Sequence, residues 1–402
     1  MMDRDTEKAK EYLRMFCVEI KERVTGSEGN IRAAELFSSL IKACGFKVKS
    51  QGFKCMKWEE EGARLAIGGK SYKVLPGPYS LPCDIKAPLC SASSITELAK
   101  LKAKKKILFL HGDIVKEQLM PKSFVFYNPP EHKEIHRLLD ASGALAVIAA
   151  TGKNPALAGG MYPFPFIEDG DCDIPNAFMK DTEGKNLADI AGSEALLQIA
   201  SRRIPSKGCN VIAGKKGKGL KKIIICAHID SKPGTPGAID NASGIVILLL
   251  LAELLKGYKG QDNIEIVALN GEDYYSIPGQ MKYLEYIKGG EKDIKLVINM
   301  DGAGYKKEMS AYSYYNCAPG LEKSVKAAFE KYKGIKRGAD WIQSDHGMFV
   351  YMGIPAVAVT SNNFMEKLSV EITHTAKDKP SIVDCRKLVE ISYALNDLIG
   401  SL

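Results

Sequence analysis

The chain has 402 residues, 45% hydrophobic and 26% charged, which suits a globular protein with room for a large core and two domains. Its net charge of +8 comes from 56 basic against 48 acidic residues, and the lysines are scattered. The densest basic runs, residues 102–106 and 215–222, carry no interleaved aromatics, so they read as solvated surface rather than a nucleic-acid groove.

The opening MMDRDTEKAKEYLRMF is charged and has no apolar signal core. No apolar segment reaches membrane-spanning length; the run at 245–255 is too short. Ten cysteines are spread without CxxC pairs, which fits free thiols in a reducing compartment better than a disulfide framework. The expected location is the cytoplasm, with no membrane partner.

Residues 6–25 predict an amphipathic helix. The loop Thr25-Gly26-Ser27-Glu28-Gly29-Asn30 caps a second helix over 31–44, which Gly45 ends, and 46–53 alternates as a strand. From 54 to 207 the texture changes to short β-like runs (106–110, 123–127 and 144–150) between proline-rich loops, with a helix over 132–142. His132 and His136 stand there at helical i,i+4 spacing; such a lysine-flanked pair reads as exposed surface rather than a metal site. Residues 54–207 are therefore expected to be an inserted, mostly β domain interrupting a discontinuous α/β domain, 1–53 with 208–402.

The α/β pattern resumes at Asn210. The apolar run 223–227 reads as a fully buried strand that delivers His228 and Asp230 to its end. A Gly/Pro loop leads to Asp240, Asn241 and Ser243, and a helix follows over 245–255. A second strand, 264–269, ends in Asn270-Gly271-Glu272-Asp273, and a third, 294–300, ends in Asp301-Gly302. A strand at 354–360 and a last helix at 380–399 flank His374. In open α/β sheets, the C-terminal edge of the strands is where ligands bind.

Taken singly, these residues have structural readings. Asp230 can cap a turn, Asp240 and Ser243 suit a helix N-terminus, Glu272-Asp273 suit the start of a helix, and Asp301 suits a turn. Their joint placement at successive strand ends points elsewhere. Two imidazoles with several carboxylates suit zinc or another borderline divalent ion. A two-cation site needs a shared carboxylate and one N/O set on each side. Asp240 supplies the bridge, His228 and Asp301 one side, Asp273 and His374 the other. Glu272 is left beside a ligand, free to take a proton from a water and pass it to a leaving amine.

The motifs AHIDS, GAIDNASG, NGED, NMDGAG, SDHGMF, GIPA and HTAKD resemble those of the co-catalytic di-zinc aminopeptidases, a family that also contains glutaminyl cyclases and glutamate carboxypeptidase-like proteins. The resemblance runs from Asn210 to the C-terminus and more faintly over residues 22–53, where ERVTGSEGN looks like the family's N-terminal loop. The insert looks like a protease-associated domain. The resemblance implies a three-layer α/β/α exopeptidase core with a mixed, mostly parallel sheet, and two zinc ions held by His228, Asp240, Asp273, Asp301 and His374. It further implies Glu272 as general base, Asp230 orienting the His228 ring, and a cis peptide between Asp240 and Asn241. The expected substrates are peptides with a free N-terminus.

Two departures and three rivals matter. Family members commonly carry Glu where this chain has Asp273. Thr373 and Trp341 occupy the places where some relatives carry an oxyanion-binding Tyr, which leaves Tyr312, Tyr314 or Tyr315, or the metals alone, for that task. The rival functions are a carboxypeptidase or dipeptidase, for which Lys232 is the one basic residue beside a motif, a glutaminyl cyclase, and a non-catalytic receptor-like protein. Asp345 and His346 are expected to shape the pocket floor, Trp341 to line the pocket, and Asp378 to hold the His374 loop.

Overall fold

The computed structural model of the chain describes residues 2–122, 128–152, 164–165, 172–274 and 276–402, so the run expected at 123–127 and Tyr275 lie outside the described residues. The chain divides into two compact units, Met1–Cys55 with Lys207–Leu402, and Met56–Ser206.

The larger unit begins with α1 (Met2–Arg14), which buries Ala9, Tyr12 and Leu13. A wide turn, Met15–Glu19, ends the helical run short of the predicted 25. The reason lies in the next residues, whose backbone is taken by other loops: Arg23 O accepts from Ser231 N at 3.3 Å and from Asn30 Nδ2 at 3.1 Å. Helix α2 (Glu28–Ala43) starts three residues before the predicted position because Ser27 is its N-cap, accepting from Asn30 N. The strand expected at 46–53 is the start of a longer one, Lys47–Ile67.

The sheet of this unit follows from β1 (Lys222–His228), β2 (Asn263–Leu269), β3 (Ile294–Met300), β4 (Ser310–Tyr315), β5 (Ile335–Arg337) and β6 (Ala356–Ser361). Their order is β5-β4-β6-β3-β1-β2, and the C-terminal end of strand Glu194–Lys215 pairs antiparallel with β2. The central β6, β3, β1 and β2 are parallel, and β4 pairs antiparallel with β6. The fold is thus α/β with a mixed, mostly parallel sheet.

Both faces are covered, which is why the central strands read as unbroken apolar runs rather than alternating ones. On one face Ile223, Ile225 and Ala227 join α1, α2, α3 (Ser243–Leu254) and α4 (Cys385–Ser401) in one core. Helix α3 is apolar all round because it lies inside that core, with Ser243 to Ala252 all buried. On the other face Glu265 of β2 accepts from Tyr283 Oη at 2.5 Å, and the Tyr283 ring packs edge-on against Phe349, centroids 6.2 Å apart. The last helix starts at Cys385 rather than 380, because Asp384 caps it. No helix among the described residues is long and apolar enough to cross a membrane.

Taken by itself, Met56–Ser206 contains strands Cys83–Ala92, Ile107–Leu110, Ala146–Thr151 and Asn176–Lys180, each parallel to the next. Helices Ile95–Lys100 and Pro130–Ala141 accompany them, and apolar clusters cover both faces. The surface reading of His132 and His136 is corrected here: they are only 3% and 4% exposed. Their shared helix face is turned inward, where His132 Nδ1 accepts from Met120 N at 3.0 Å and His136 Nε2 meets Met120 O at 2.8 Å. A buried imidazole needs such a partner.

Candidate metal centre

Strand register builds the site. His228 ends β1 level with Leu269 of β2, and Asp301 follows Met300 of β3, so three parallel strands release their polar residues at one edge. Asp240 arrives on the turn Ala238–Ala242 that enters α3, after Gly237 in a left-handed conformation (φ +58°). The peptide bond between Asp240 and Asn241 is cis. Asn241 ties this turn to β3, donating to Met300 O at 2.8 Å and accepting from Gly244 N at 3.1 Å. His374 stands in a left-handed backbone position (φ +61°) on the loop before α4.

The Asp240 carboxylate lies between the two imidazoles. Its Oδ1 is 3.1 Å from His228 Nε2, and its Oδ2 is 3.1 Å from His374 Nε2. Asp301 Oδ1 stands 3.6 Å from His228 Nε2, and Asp273 Oδ1 stands 2.9 Å from His374 Nε2. Among the described residues two sets each offer ligand atoms within 4.8 Å of one another: His228, Asp240 and Asp301, and Asp240, Asp273 and His374. Glu272 Oε2 is 4.0 Å from His228 Nε2, and its side chain is 25% exposed while His228 is sealed.

Asp230 organises what surrounds them. Its Oδ1 accepts from Gly271 N at 2.8 Å and Glu272 N at 3.3 Å; its Oδ2 accepts from Asp273 N at 2.9 Å and Thr25 Oγ1 at 3.1 Å. The same carboxylate lies 3.7 Å from His228 Nδ1. One buried residue therefore sets both an imidazole and the backbone that carries Glu272 and Asp273.

Charge in this cluster is unbalanced in favour of carboxylates. Burial opposes protonation of His228, yet the Glu272 charge and contacts with Asp230, Asp240 and Asp301 raise its pKa well above the ordinary value. Burial likewise opposes protonation of His374, and Asp273 and Asp240 raise it. Burial and the neighbouring Asp301, Asp273 and Asp345 raise the pKa of Glu272, against the His228 charge. His228 Nδ1 and Nε2, Asp273 Oδ2 and Asp301 Oδ1 are buried without a hydrogen-bond partner. Orphaned donor atoms in two adjoining N/O sets that share one carboxylate are what divalent cations require, so the residues fit the group.

Other expectations fall differently. Asp378 holds the Asp240 turn: its carboxylate accepts from Ile239 N at 2.6 Å and Asp240 N at 3.0 Å. Its pKa is pushed up to about 7 by burial and by the Asp240 charge. Tyr312 Oη bonds Glu330 at 3.0 Å, and Tyr315 Oη bonds the Trp341 backbone, so neither hydroxyl is turned to the site. Trp341 is 7% exposed and packs on His346 and Phe364. Asp345 accepts from Gln280 Nε2 at 2.8 Å, and burial lifts its pKa to about 7. His346 is neutral, its pKa lowered to about 4 by burial; Nε2 meets Trp341 O at 2.8 Å. Sequence reasoning missed Arg23, although it stands in the quoted ERVTGSEGN. No local pattern separates a buried arginine from a surface one.

The fold is α/β, and two imidazole–carboxylate sets that share Asp240 stand at the C-terminal edge of its parallel strands. The model of Peptidase family M28 matches residues 210–399, within the larger unit. Aminopeptidase YwaD of Bacillus subtilis is 26% identical over 318 residues, covering 76% of this chain and 64% of that protein. The structure of an aminopeptidase from Aneurinibacillus sp. strain AM-1 superposes with TM-score 0.80 at 22% identity, covering 98% of this chain and 93% of that one. BSAP, a zinc aminopeptidase from Bacillus subtilis, superposes with TM-score 0.74 at 22% identity, covering 98% and 94%. At these identities the structural likeness shows the fold.

Proposed function

We propose that the chain is a zinc-dependent aminopeptidase that removes N-terminal residues from peptides with a free N-terminus. In this reading His228, Asp240 and Asp301 hold one divalent ion, and Asp240, Asp273 and His374 a second. The observation that carries it is the position of Asp240, with one oxygen 3.1 Å from each of two imidazoles. The aminopeptidase names of its relatives and the zinc named for the Bacillus subtilis structure support it.

Zinc bound there would supply a Lewis acid that polarises a carbonyl and eases loss of a proton from water. Glu272 is the proton carrier. It is exposed enough to reach solvent and stands 4.0 Å from His228 Nε2, where it can take a proton from the attacking water and return it to the departing amine. Asp230 keeps the carrier and Asp273 in place through their own backbone amides. Asp273 reaches His374 at 2.9 Å, so the shorter side chain still closes the second set. Lys232, the residue a dipeptidase would need for a substrate carboxylate, is 8% exposed and donates to Asp273 O. That favours the aminopeptidase.

The reading takes Met56–Ser206 as a protease-associated-like insert, on its strand-dominated texture, and a superposition of that unit alone on such domains is the check. It places the protein in the cytoplasm, supported by ten free cysteines; a thiol count below ten in protein isolated without reductant would contradict this. The function is tested with aminoacyl-p-nitroanilides and N-blocked peptides on zinc-loaded protein. Turnover of free-amine substrates should fall by about 10²–10⁴-fold in Glu272→Gln with zinc content unchanged. Turnover of blocked peptides alone, or full activity in the variant, contradicts the reading.

A further inference from the structure

Arg23 is entirely buried, and the bonds of its guanidinium go to main-chain carbonyls. Nε donates to Ile229 O at 2.9 Å, Nη1 to Phe16 O at 2.7 Å and Pro236 O at 2.9 Å, and Nη2 to Gly237 O at 2.8 Å. Two of these carbonyls open the turn that carries Asp240, and a third lies between His228 and Asp230. On the far side of that turn, Asp378 takes the amides of Ile239 and Asp240. The stretch 236–240 is therefore gripped by a cation on its carbonyls and an anion on its amides.

Neighbours of Arg23 in sequence reach the other loops of the site. Thr25 Oγ1 donates to Asp230, and Asn30 exchanges amide bonds with Asn270 at 2.9 and 3.0 Å, just before Glu272. We infer that Arg23 is a positioning residue for Asp240: its guanidinium and the Asp378 carboxylate together fix the turn so that the two Asp240 oxygens face the two imidazoles. This rests on the reading of the site as a metal centre. A lysine offers one nitrogen and cannot span carbonyls from three segments, whereas the planar fork of arginine does. Gly237 completes the fit: its φ is +58°, and a Cβ there would stand 2.8 Å from Arg23 Nη2 and 2.5 Å from Asp240 O.

The test compares wild type with Arg23→Lys in the full chain, measuring zinc affinity by chelator competition and melting temperature with and without zinc. The expected result is a zinc Kd weakened at least tenfold (about 1.4 kcal/mol) and a smaller zinc-induced rise in melting temperature, because ligand stabilisation scales with affinity. A merely structural arginine would lower both melting temperatures together and leave the Kd unchanged, which overturns the inference. Should Arg23→Lys fail to fold, Arg23→Gln, which leaves one amide nitrogen in place of the fork, takes its place: a weakened Kd supports the inference and a wild-type Kd overturns it. A wild-type chain that binds no zinc overturns the metal-centre reading itself, and the role of Arg23 with it.

Discussion

Replacing Asp230 by Asn keeps the size of the side chain and removes its charge. In the native arrangement Oδ1 serves the amides of Gly271 and Glu272, while Oδ2 serves Asp273 N and Thr25 Oγ1. An Asn oxygen at the Oδ1 position leaves its NH₂ facing the Asp273 N–H, two donors with no acceptor between them. An orphaned buried amide costs about 1–3 kcal/mol, and the remaining bonds fall from charge-assisted to neutral strength, each losing about 1 kcal/mol. With the two bonds to Oδ1, the sum is about 3–5 kcal/mol of stability. Because the loop also carries Asp273 and Glu272, and His228 loses its carboxylate neighbour, zinc affinity should fall about 10–100-fold. Urea denaturation of the zinc-free protein and chelator competition measure the two effects. A variant within ~0.5 kcal/mol of wild type and with an unchanged zinc Kd would refute the reasoning.

Two further outcomes follow from the structure. His346 stays neutral to a pH of about 4, whereas in the unfolded chain it protonates near 6.5. The unfolded state thus binds more protons in that window. Stability should fall as pH drops from 6.5 to 4, by up to about 3 kcal/mol, and His346→Gln should lack this loss. Buried Asp345 and Asp378, with raised pKa, act in the opposite sense, so the measurement is the difference between wild type and variant across pH; a flat difference contradicts the assignment. Gly302 follows the site residue Asp301 with φ +70°, and a Cβ there would lie 2.3 Å from the Phe364 ring. Gly302→Ala should therefore cost about 2–4 kcal/mol in denaturation experiments, combining left-handed strain with overpacking. A cost under ~0.5 kcal/mol would contradict the geometry.

The central strands were legible because both of their faces are covered, which writes unbroken apolar runs such as IIICA into the chain. The candidate site was legible because parallel strands must release His228, Glu272, Asp273 and Asp301 at one edge, whatever the loops do. Element ends were less readable. Whether the first helical run stops at 19 or 25 depends on Arg23 and Asn30 meeting loops more than 200 residues away, at Ile229 and Asn270. The burial of His132 and His136 depends on Met120, which no helical period could indicate. Asp378 was tied to its neighbour His374 by proximity in sequence, yet its carboxylate serves Ile239 and Asp240, 139 and 138 residues away.

Zinc content per chain tests the central claim most directly, measured by elemental analysis on wild type, His228→Ala, His374→Ala and Asp240→Ala, each confirmed folded. A carboxylate shared between two imidazoles predicts two zinc ions in wild type, one in each histidine variant and none held tightly in Asp240→Ala. Two zinc ions retained in Asp240→Ala would contradict it.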